Sequence, residues 1–275
     1  MRFASALHEG APLAVALEGE RAIPLRGIGE LGLQTPLSLL ADPPLERSRA
    51  LPRAELQLRP VVPRPGKVIC IGLNYRSHIE ETRREETAYP VLFTKFATAL
   101  AGPFDDIPCP PESHAIDYEG ELAVVIGERC RRVSEERALE VLAGLCVAND
   151  VSMRDYQRRT HQWLQGKAWD RSTPVGPELV TLEEAGDPQA LMLRTTVNGQ
   201  LVQESSTELM IFSVARLVAT ISEFATLEPG DLILTGTPGG VGYRREPPLL
   251  LADGDVVAIE VEGVGRIENR MVAER

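Results

Sequence analysis

HAIDYEGELAVVIG, residues 114–127, opens with carboxylates at every second position and closes on an unbroken apolar run. A strand sends successive side chains to opposite faces, so Asp117, Glu119 and Glu121 share one face if this stretch is extended. The LAVVIG that follows leaves neither face polar, as expected of a strand covered on both sides. KVICIGL (67–73), LCVAND (145–150) and DLILTGTP (231–238) are further apolar runs of strand length. LRTTVNGQLVQESS (193–206) reads as a hairpin through Asn198-Gly199, and DGDVVAIEVEGVGRIENRMV (253–272) adds more strands. Helical spacing of apolar residues runs through SSTELMIFSVARLVATISEFATL (205–227), with EPGD closing it, and SEERALEVLAG (134–144) is a second helix candidate with Ser134 as its N-cap. Strands outnumber helices and hairpins recur, which predicts a β-rich α+β fold rather than a regular βαβ winding.

Upstream, RFASAL, LAVALEG and AIPL read as short hairpin strands separated by turns at HEGAP and EGER, with a loop-rich stretch behind them. RPVVPRPG (59–66) is rich in proline and has no periodicity, which suits a linker. The boundary is placed there, giving a small N-terminal domain at 1–62 and a larger one at 63–275.

Composition limits the partners. The 275 residues are 43% hydrophobic and 25% charged, enough for a real core, and with 5% aromatics that core is aliphatic. A net charge of −11 opposes nucleic acid and anionic membrane surfaces but leaves room for a locally basic pocket. Cys70, Cys109, Cys130 and Cys146 lack zinc-ligand spacing and read as reduced thiols of a cytoplasmic protein. The first twenty residues lack a signal-peptide pattern, and no apolar run reaches the length of a membrane span.

Several carboxylates at the mouth of a buried strand repel one another unless a cation compensates. A hard cation such as Mg²⁺ takes oxygen ligands, and Asp150 at the end of LCVAND could join Glu119 and Glu121 from a neighbouring strand. Taken alone, the pattern fits a solvated edge strand equally well. His78 and Glu81 in IGLNYRSHIEE (71–81) lie three residues apart, so on a helix they share a face, and the carboxylate fixes the imidazole tautomer and raises its basicity. An exposed charged helix is the bland alternative. Lys95, Arg154 and Lys167 stand beside apolar or acidic neighbours, positions suited to an anionic substrate or to a structural ion pair. TGTPGGVG (235–242) could offer backbone N–H groups and the Thr237 hydroxyl to an anion, but lacks the ending of a P-loop.

In order, IGLNYRSHIEE, FTKFATALAGP, IDYEGELAVVIG, ANDVSMRDYQ, QWLQGKAWDRSTPVGP, TVNGQLVQ, LEPGDLILTGTPGGVG and DGDVVAIEVEGVG closely resemble the fumarylacetoacetate hydrolase family, and they span about Val62 to Val272. The resemblance implies a mixed β-sandwich roll with a small N-terminal α/β domain, normally a homodimer. It implies Mg²⁺ or Mn²⁺, one per subunit, on Glu119, Glu121 and Asp150, and a His78–Glu81 dyad that activates water on a segment closing over ligand. Lys167 is then the active-site lysine, Gln157 and Thr237 contact the oxo-acid end of a small 2-oxo carboxylate, and Arg154 sits where the family motif also has arginine. TRREETAYPVLF (82–93) departs from the pattern, being more charged than the Gly/Pro-rich stretch expected there. The expected activity is C–C hydrolysis of an acylpyruvate-like β-diketo acid, of the kind found in aromatic-compound catabolism. Decarboxylation or tautomerisation of 2-oxo dicarboxylic acids of the oxaloacetate or hydroxyheptadienedioate type is the alternative, and a catalytically silent metal-binding protein the third.

Overall fold

A strand with no polar face needs cover above and below, and the architecture is built around that need. The computed structural model describes residues 1–274 and is β-rich with few helices, in the α+β class. β1 (Arg2–His8), β2 (Ala11–Glu18) and β3 (Arg21–Pro24) form the N-terminal hairpins, and α1 (Leu37–Ala41) is a short helix in the loop-rich stretch. β4 (Val68–Gly72), α2 (Arg76–Thr82), β5 (Val91–Lys95) and β6 (Ile107–Cys109) follow. β7 (Gly120–Ile126) and β8 (Leu142–Asn149) lead through α3 (Arg154–Gln157) and α4 (Leu164–Lys167) to β9 (Thr173–Val180). The chain ends with β10 (Met192–Val197), β11 (Gln200–Ser206), α5 (Val214–Phe224), β12 (Leu232–Leu234), β13 (Val256–Val261) and β14 (Gly265–Ala273).

The main sheet has 12 strands, with β3-β2-β1-β9-β8-β7-β12-β4-β5 side by side, and a five-stranded sheet runs β11-β10-β13-β14-β6. Both are mixed, since β4 runs parallel to β12 and β6 parallel to β14. β7 shows why its sequence is apolar throughout. Leu122, Val124 and Ile126 pack into one core with Leu217 of α5 and Ile259 of β13, while Ala123 and Val125 enter a second core with Phe3, Leu31 and Val62. The two cores lie on opposite faces of the same strand.

Arg59–Gly66, expected as a linker, buries Val61 and Val62, and the Val61 amide donates to the Val175 carbonyl at 3.1 Å. β1 also pairs antiparallel with β9, so residues 1–62 continue the main sheet. The helix expected over 205–227 shrinks to α5, because Ser213 caps it: its Oγ accepts the Arg216 amide at 3.1 Å and ends the helix there. SEERALEVLAG forms a 3₁₀ turn, Glu135–Val141, and the Ser134 side chain makes no cap bond to it. The hairpin at Asn198-Gly199 is as read, with φ of 51° and 78° at the two turn residues. Among the described residues no helix is long and apolar enough to cross a membrane.

Candidate active site

Register builds the acidic cluster. β7 and β8 pair with Gly120 opposite Asn149 and Glu121 opposite Ala148, so Asp150, just past β8, comes level with Glu119 and donates its amide to the Glu119 carbonyl at 2.9 Å. On the other side β12 pairs with β7, and the chain leaving it runs back past Glu121. The Gly236 amide donates to Glu121 Oε2 at 2.8 Å, and Thr237 Oγ1 to the Gly120 carbonyl at 2.9 Å. Gly236 has φ of +101°, and a Cβ there would lie 2.8 Å from Asn74 Cβ, so glycine alone fits. Glu119, Glu121 and Asp150 are all buried, and each offers a carboxylate oxygen within 4.8 Å of the other two.

Asp117 does not join them, although alternation placed it on the same face. The strand breaks between Asp117 and Gly120, and the Asp117 carboxylate turns to Arg154 Nε at 2.8 Å and to the amides of Gly242 and Tyr243 at 2.8 and 3.1 Å. The glycine-rich loop likewise presents its amides, but to the protein's own carboxylates: Gly236 to Glu121, Gly240 to Glu81 and Gly242 to Asp117.

The cations are as buried as the carboxylates. Lys167 Nζ bridges Glu119 Oε2 at 2.7 Å and Asp150 Oδ2 at 2.8 Å. Arg154 Nη1 reaches Glu119 Oε1 at 2.6 Å and also donates to Gln157 Oε1 at 3.0 Å. Lys95 Nζ lies 2.7 Å from Asp150 Oδ1 and donates to the Lys167 carbonyl, so it steadies the floor of the site and does not face the cleft. The contact with Asp150 is an ion pair without hydrogen-bond alignment, since Oδ1 has no hydrogen-bond partner among the described residues. Burial disfavours the Glu119 carboxylate, but Lys167 and Arg154 outweigh it and hold the group well below the usual carboxylate range. Glu121 goes the other way: burial, then the Asp150 and Glu119 carboxylates, push it well above that range. Its Oε1 is buried with no hydrogen-bond partner among the described residues.

That orphaned oxygen tests the metal expectation. Four buried carboxylates (Asp117, Glu119, Glu121, Asp150) face three buried cations (Lys95, Arg154, Lys167), one positive charge short. Each carboxylate oxygen has two lone pairs, so the ion pairs do not exhaust them. An all-oxygen donor set with an unsatisfied member fits a hard divalent cation.

His78 and Glu81 fall on α2 as expected, with Nδ1 and Oε1 2.7 Å apart. Glu81 is anchored by the Gly240 amide at 2.8 Å, and Ser77 Oγ accepts the Gly239 amide at 3.1 Å, so α2 is docked on the glycine loop. His78, Glu119, Arg154, Gln157, Lys167 and Thr237 all line one cleft of about 240 Å³. Sequence reasoning missed the outer wall of that cleft, where Arg84, Arg158, Trp163, Tyr243 and Arg244 stand. The unusual charge of TRREET was the one trace of it.

The fumarylacetoacetate (FAA) hydrolase C-terminal family model matches residues 67–272. The chain belongs to the fumarylacetoacetate hydrolase family. Within the family, it is 47% identical over 224 residues to the mitochondrial oxaloacetate tautomerase FAHD2B of Bos taurus, which covers 81% of this chain and 71% of that protein. Among solved structures, a 5-carboxymethyl-2-hydroxymuconate delta-isomerase from Mycobacterium smegmatis superposes with a TM-score of 0.86 at 36% identity, covering 100% of both chains. A 2-hydroxyhepta-2,4-diene-1,7-dioate isomerase from Mycobacterium marinum gives 0.83 at 36% identity, covering 100% of this chain and 99% of that one. The fold class and family expected from the sequence are thereby established. A fumarylacetoacetate hydrolase from Exiguobacterium antarcticum also superposes, with a TM-score of 0.87 at 34% identity over 100% of both chains, but the relatives at 47% and 36% identity just given are named as a tautomerase and isomerases, which favours the second of the expected activities over hydrolysis.

Proposed function

We infer that the protein is a divalent-metal-dependent tautomerase of small 2-oxo dicarboxylic acids of the oxaloacetate type. One observation carries the reading: His78, paired with Glu81, and Glu119 of the buried carboxylate triad line a single cleft, in a chain similar over 81% of its length to an oxaloacetate tautomerase. A Mg²⁺ or Mn²⁺ ion on Glu119, Glu121 and Asp150 would supply an electrophilic anchor for the 2-oxo carboxylate. Glu81 occupies His78 Nδ1, which leaves Nε2 as the nitrogen available to the substrate. Ketonisation moves one proton off the enol oxygen at C2 and places one on C3; no water is consumed and no electrons change hands. His78 exchanges the proton, and Glu81 stabilises the imidazolium that forms in passing. The Lys167 ammonium stabilises negative charge on the C2 oxygen in a site shielded from water. Gln157 and Thr237 orient the oxo-acid end. A homodimer with this activity in each subunit is the assembly we propose, and light scattering tests it.

Hydrolysis of an acylpyruvate would use the same dyad on a water molecule, so the decisive experiment runs the reactions in parallel. Enol-oxaloacetate with Mg²⁺ or Mn²⁺ is expected to ketonise faster than its spontaneous rate, and chelator abolishes the gain. Acylpyruvate cleavage or oxaloacetate decarboxylation, with enol decay at the spontaneous rate, overturns the reading.

A further inference from the structure

We propose that Arg84, Arg158 and Arg244 form a second anion site at the mouth of the cleft, which takes the substrate carboxylate remote from the 2-oxo group. The proposal rests on the 2-oxo acid reading above and deepens it. The three come from separate segments, one following α2, one following α3 and one in the turn Gly242–Arg244, and all three line the same cleft as the acidic triad's Glu119. The chain carries 40 acidic residues to 29 Lys and Arg, yet none of these three makes an ion pair among the described residues. Other exposed arginines among the described residues also lack an ion pair, but these three gather around one cleft, where their free N–H groups can serve an anion together.

Aromatic rings hold them there. Arg158 Cζ lies 3.7 Å from the centroid of the Tyr243 ring and Arg244 Cζ 5.1 Å from the same centroid, while Arg84 Cζ is 5.5 Å from that of Trp163. Stacking engages the flat face of a guanidinium and leaves its N–H edge for a carboxylate. Arg244 Nη2 also donates to the Thr82 carbonyl at 2.8 Å, tying the outer site to the helix that carries His78. The Tyr243 amide donates to Asp117, the partner of Arg154, so the platform is fixed to the inner site too. Burial and then the neighbouring Arg244, Arg154 and Arg84 lower the pKa of Arg158, which reflects the positive field a bound carboxylate would relieve. The inner and outer sites together select a dicarboxylate, and a monocarboxylic 2-oxo acid fills only the inner one.

Two readouts test this, one independent of turnover. In the Mg²⁺-loaded protein, 2-oxoglutarate and 2-oxopentanoate differ by the remote carboxylate alone, and their affinities are measured by thermal shift and calorimetry. Wild type is expected to prefer the diacid by ~10-fold or more, the preference collapsing in Arg158→Gln/Arg244→Gln and weakening in Arg84→Gln. Arg158→Lys is expected to recover only part of it, because the ammonium lacks the fork and the stack. The ratio of kcat/KM between enol-oxaloacetate and a monocarboxylic enol should fall with the same variants, mainly through KM. Equal affinity for the two acids in wild type, or a preference that survives the double variant, overturns the proposal. Absence of enol turnover in wild type sinks the tautomerase reading alone, since the binding preference is measured without it.

Discussion

Glu121 is the residue on which the inner site turns, because its Oε1 is the carboxylate oxygen in the triad that, among the described residues, meets neither a cation nor a hydrogen-bond donor. Replacing it with glutamine keeps an acceptor for the Gly236 amide and removes one of three mutually repelling carboxylates. Metal-free Glu121→Gln is therefore expected to melt at or above the wild-type temperature. Wild type, by contrast, should gain roughly 2.7 kcal/mol from Mg²⁺ or Mn²⁺ at a hundredfold excess over Kd, a gain chelator reverses and the variant lacks. A variant that melts lower without metal and still responds to Mg²⁺ would show that the triad is an ordinary ion-pair network. His78→Ala and Glu81→Gln act on the proton instead: ketonisation should slow by ~10²-fold or more while the Mg²⁺ melting shift persists. Wild-type rates in both would reduce the dyad to surface charge. Spacing brought these residues forward only as candidates, Glu119 and Glu121 by alternation, Asp150 at a strand end, His78 and Glu81 at helical spacing, and the ordered family resemblance chose them over a solvated strand and an exposed helix. Asp117 was misplaced because alternation holds only while the strand does, and the strand breaks after it. Arg84, Arg158 and Arg244 share no element, so only tertiary folding brings them to one cleft.

Elements place these residues by two devices with opposite consequences for function. The glycine loop leaving β12 sets Gly236 at φ +101° against Asn74, whose side chain donates to the Thr235 carbonyl at 2.7 Å. Gly236→Ala strains the backbone and crowds Asn74, so a stability loss of ~1–3 kcal/mol is expected. The same shift withdraws the amide from Glu121 Oε2, so Mg²⁺ affinity should fall with it. Ser213→Ala removes the cap of α5, which packs Leu217, Val218 and Ile221 into the core on the far side of β7 from Phe3. The expected cost is about 1 kcal/mol, with Mg²⁺ affinity and kcat/KM unchanged. Equal effects of the two substitutions on metal affinity would mean that the loop does not position Glu121. Apolar periodicity alone overran α5 at its N-terminus, since Met210, Ile211 and Phe212 keep the helical spacing while Ser213 interrupts the backbone pattern. The cap, a single polar residue, overrules the periodicity before it.

On the scale of the whole molecule, the question is whether residues 1–62 are a detachable domain or a layer of the catalytic one. Sequence composition suggested a boundary, because prolines interrupt the pattern at Arg59–Gly66. Packing argues for a layer. Phe3, Leu25, Leu31, Leu40, Val61 and Val62 share one core with Ala123 and Val125 of β7 and Cys146 and Ala148 of β8, the two strands that carry Glu121 and end beside Glu119 and Asp150. Burying a large apolar side chain contributes roughly 1.5–3 kcal/mol, and whole domains are stable by about 5–15 kcal/mol, so losing six such contacts is comparable to the entire stability. The ion pairs point the same way. Glu178 of β9 is buried, and its partners Arg2, at 2.9 Å, and Arg53 both come from the N-terminal segment. Removing them strands a buried carboxylate, at a cost of about 3–5 kcal/mol when one partner of such a pair is lost. A chain truncated to residues 63–275 is therefore expected to be insoluble, or to melt without cooperativity and without a Mg²⁺ response, as read by circular dichroism and calorimetry. A conservative companion, Arg2→Ala with Arg53→Ala in the full chain, should fold, melt lower than wild type and keep its Mg²⁺ shift. Were the truncated chain to melt cooperatively with an undiminished Mg²⁺ shift, residues 1–62 would be a separate domain resting on a finished sheet, and β1 an added edge strand of it.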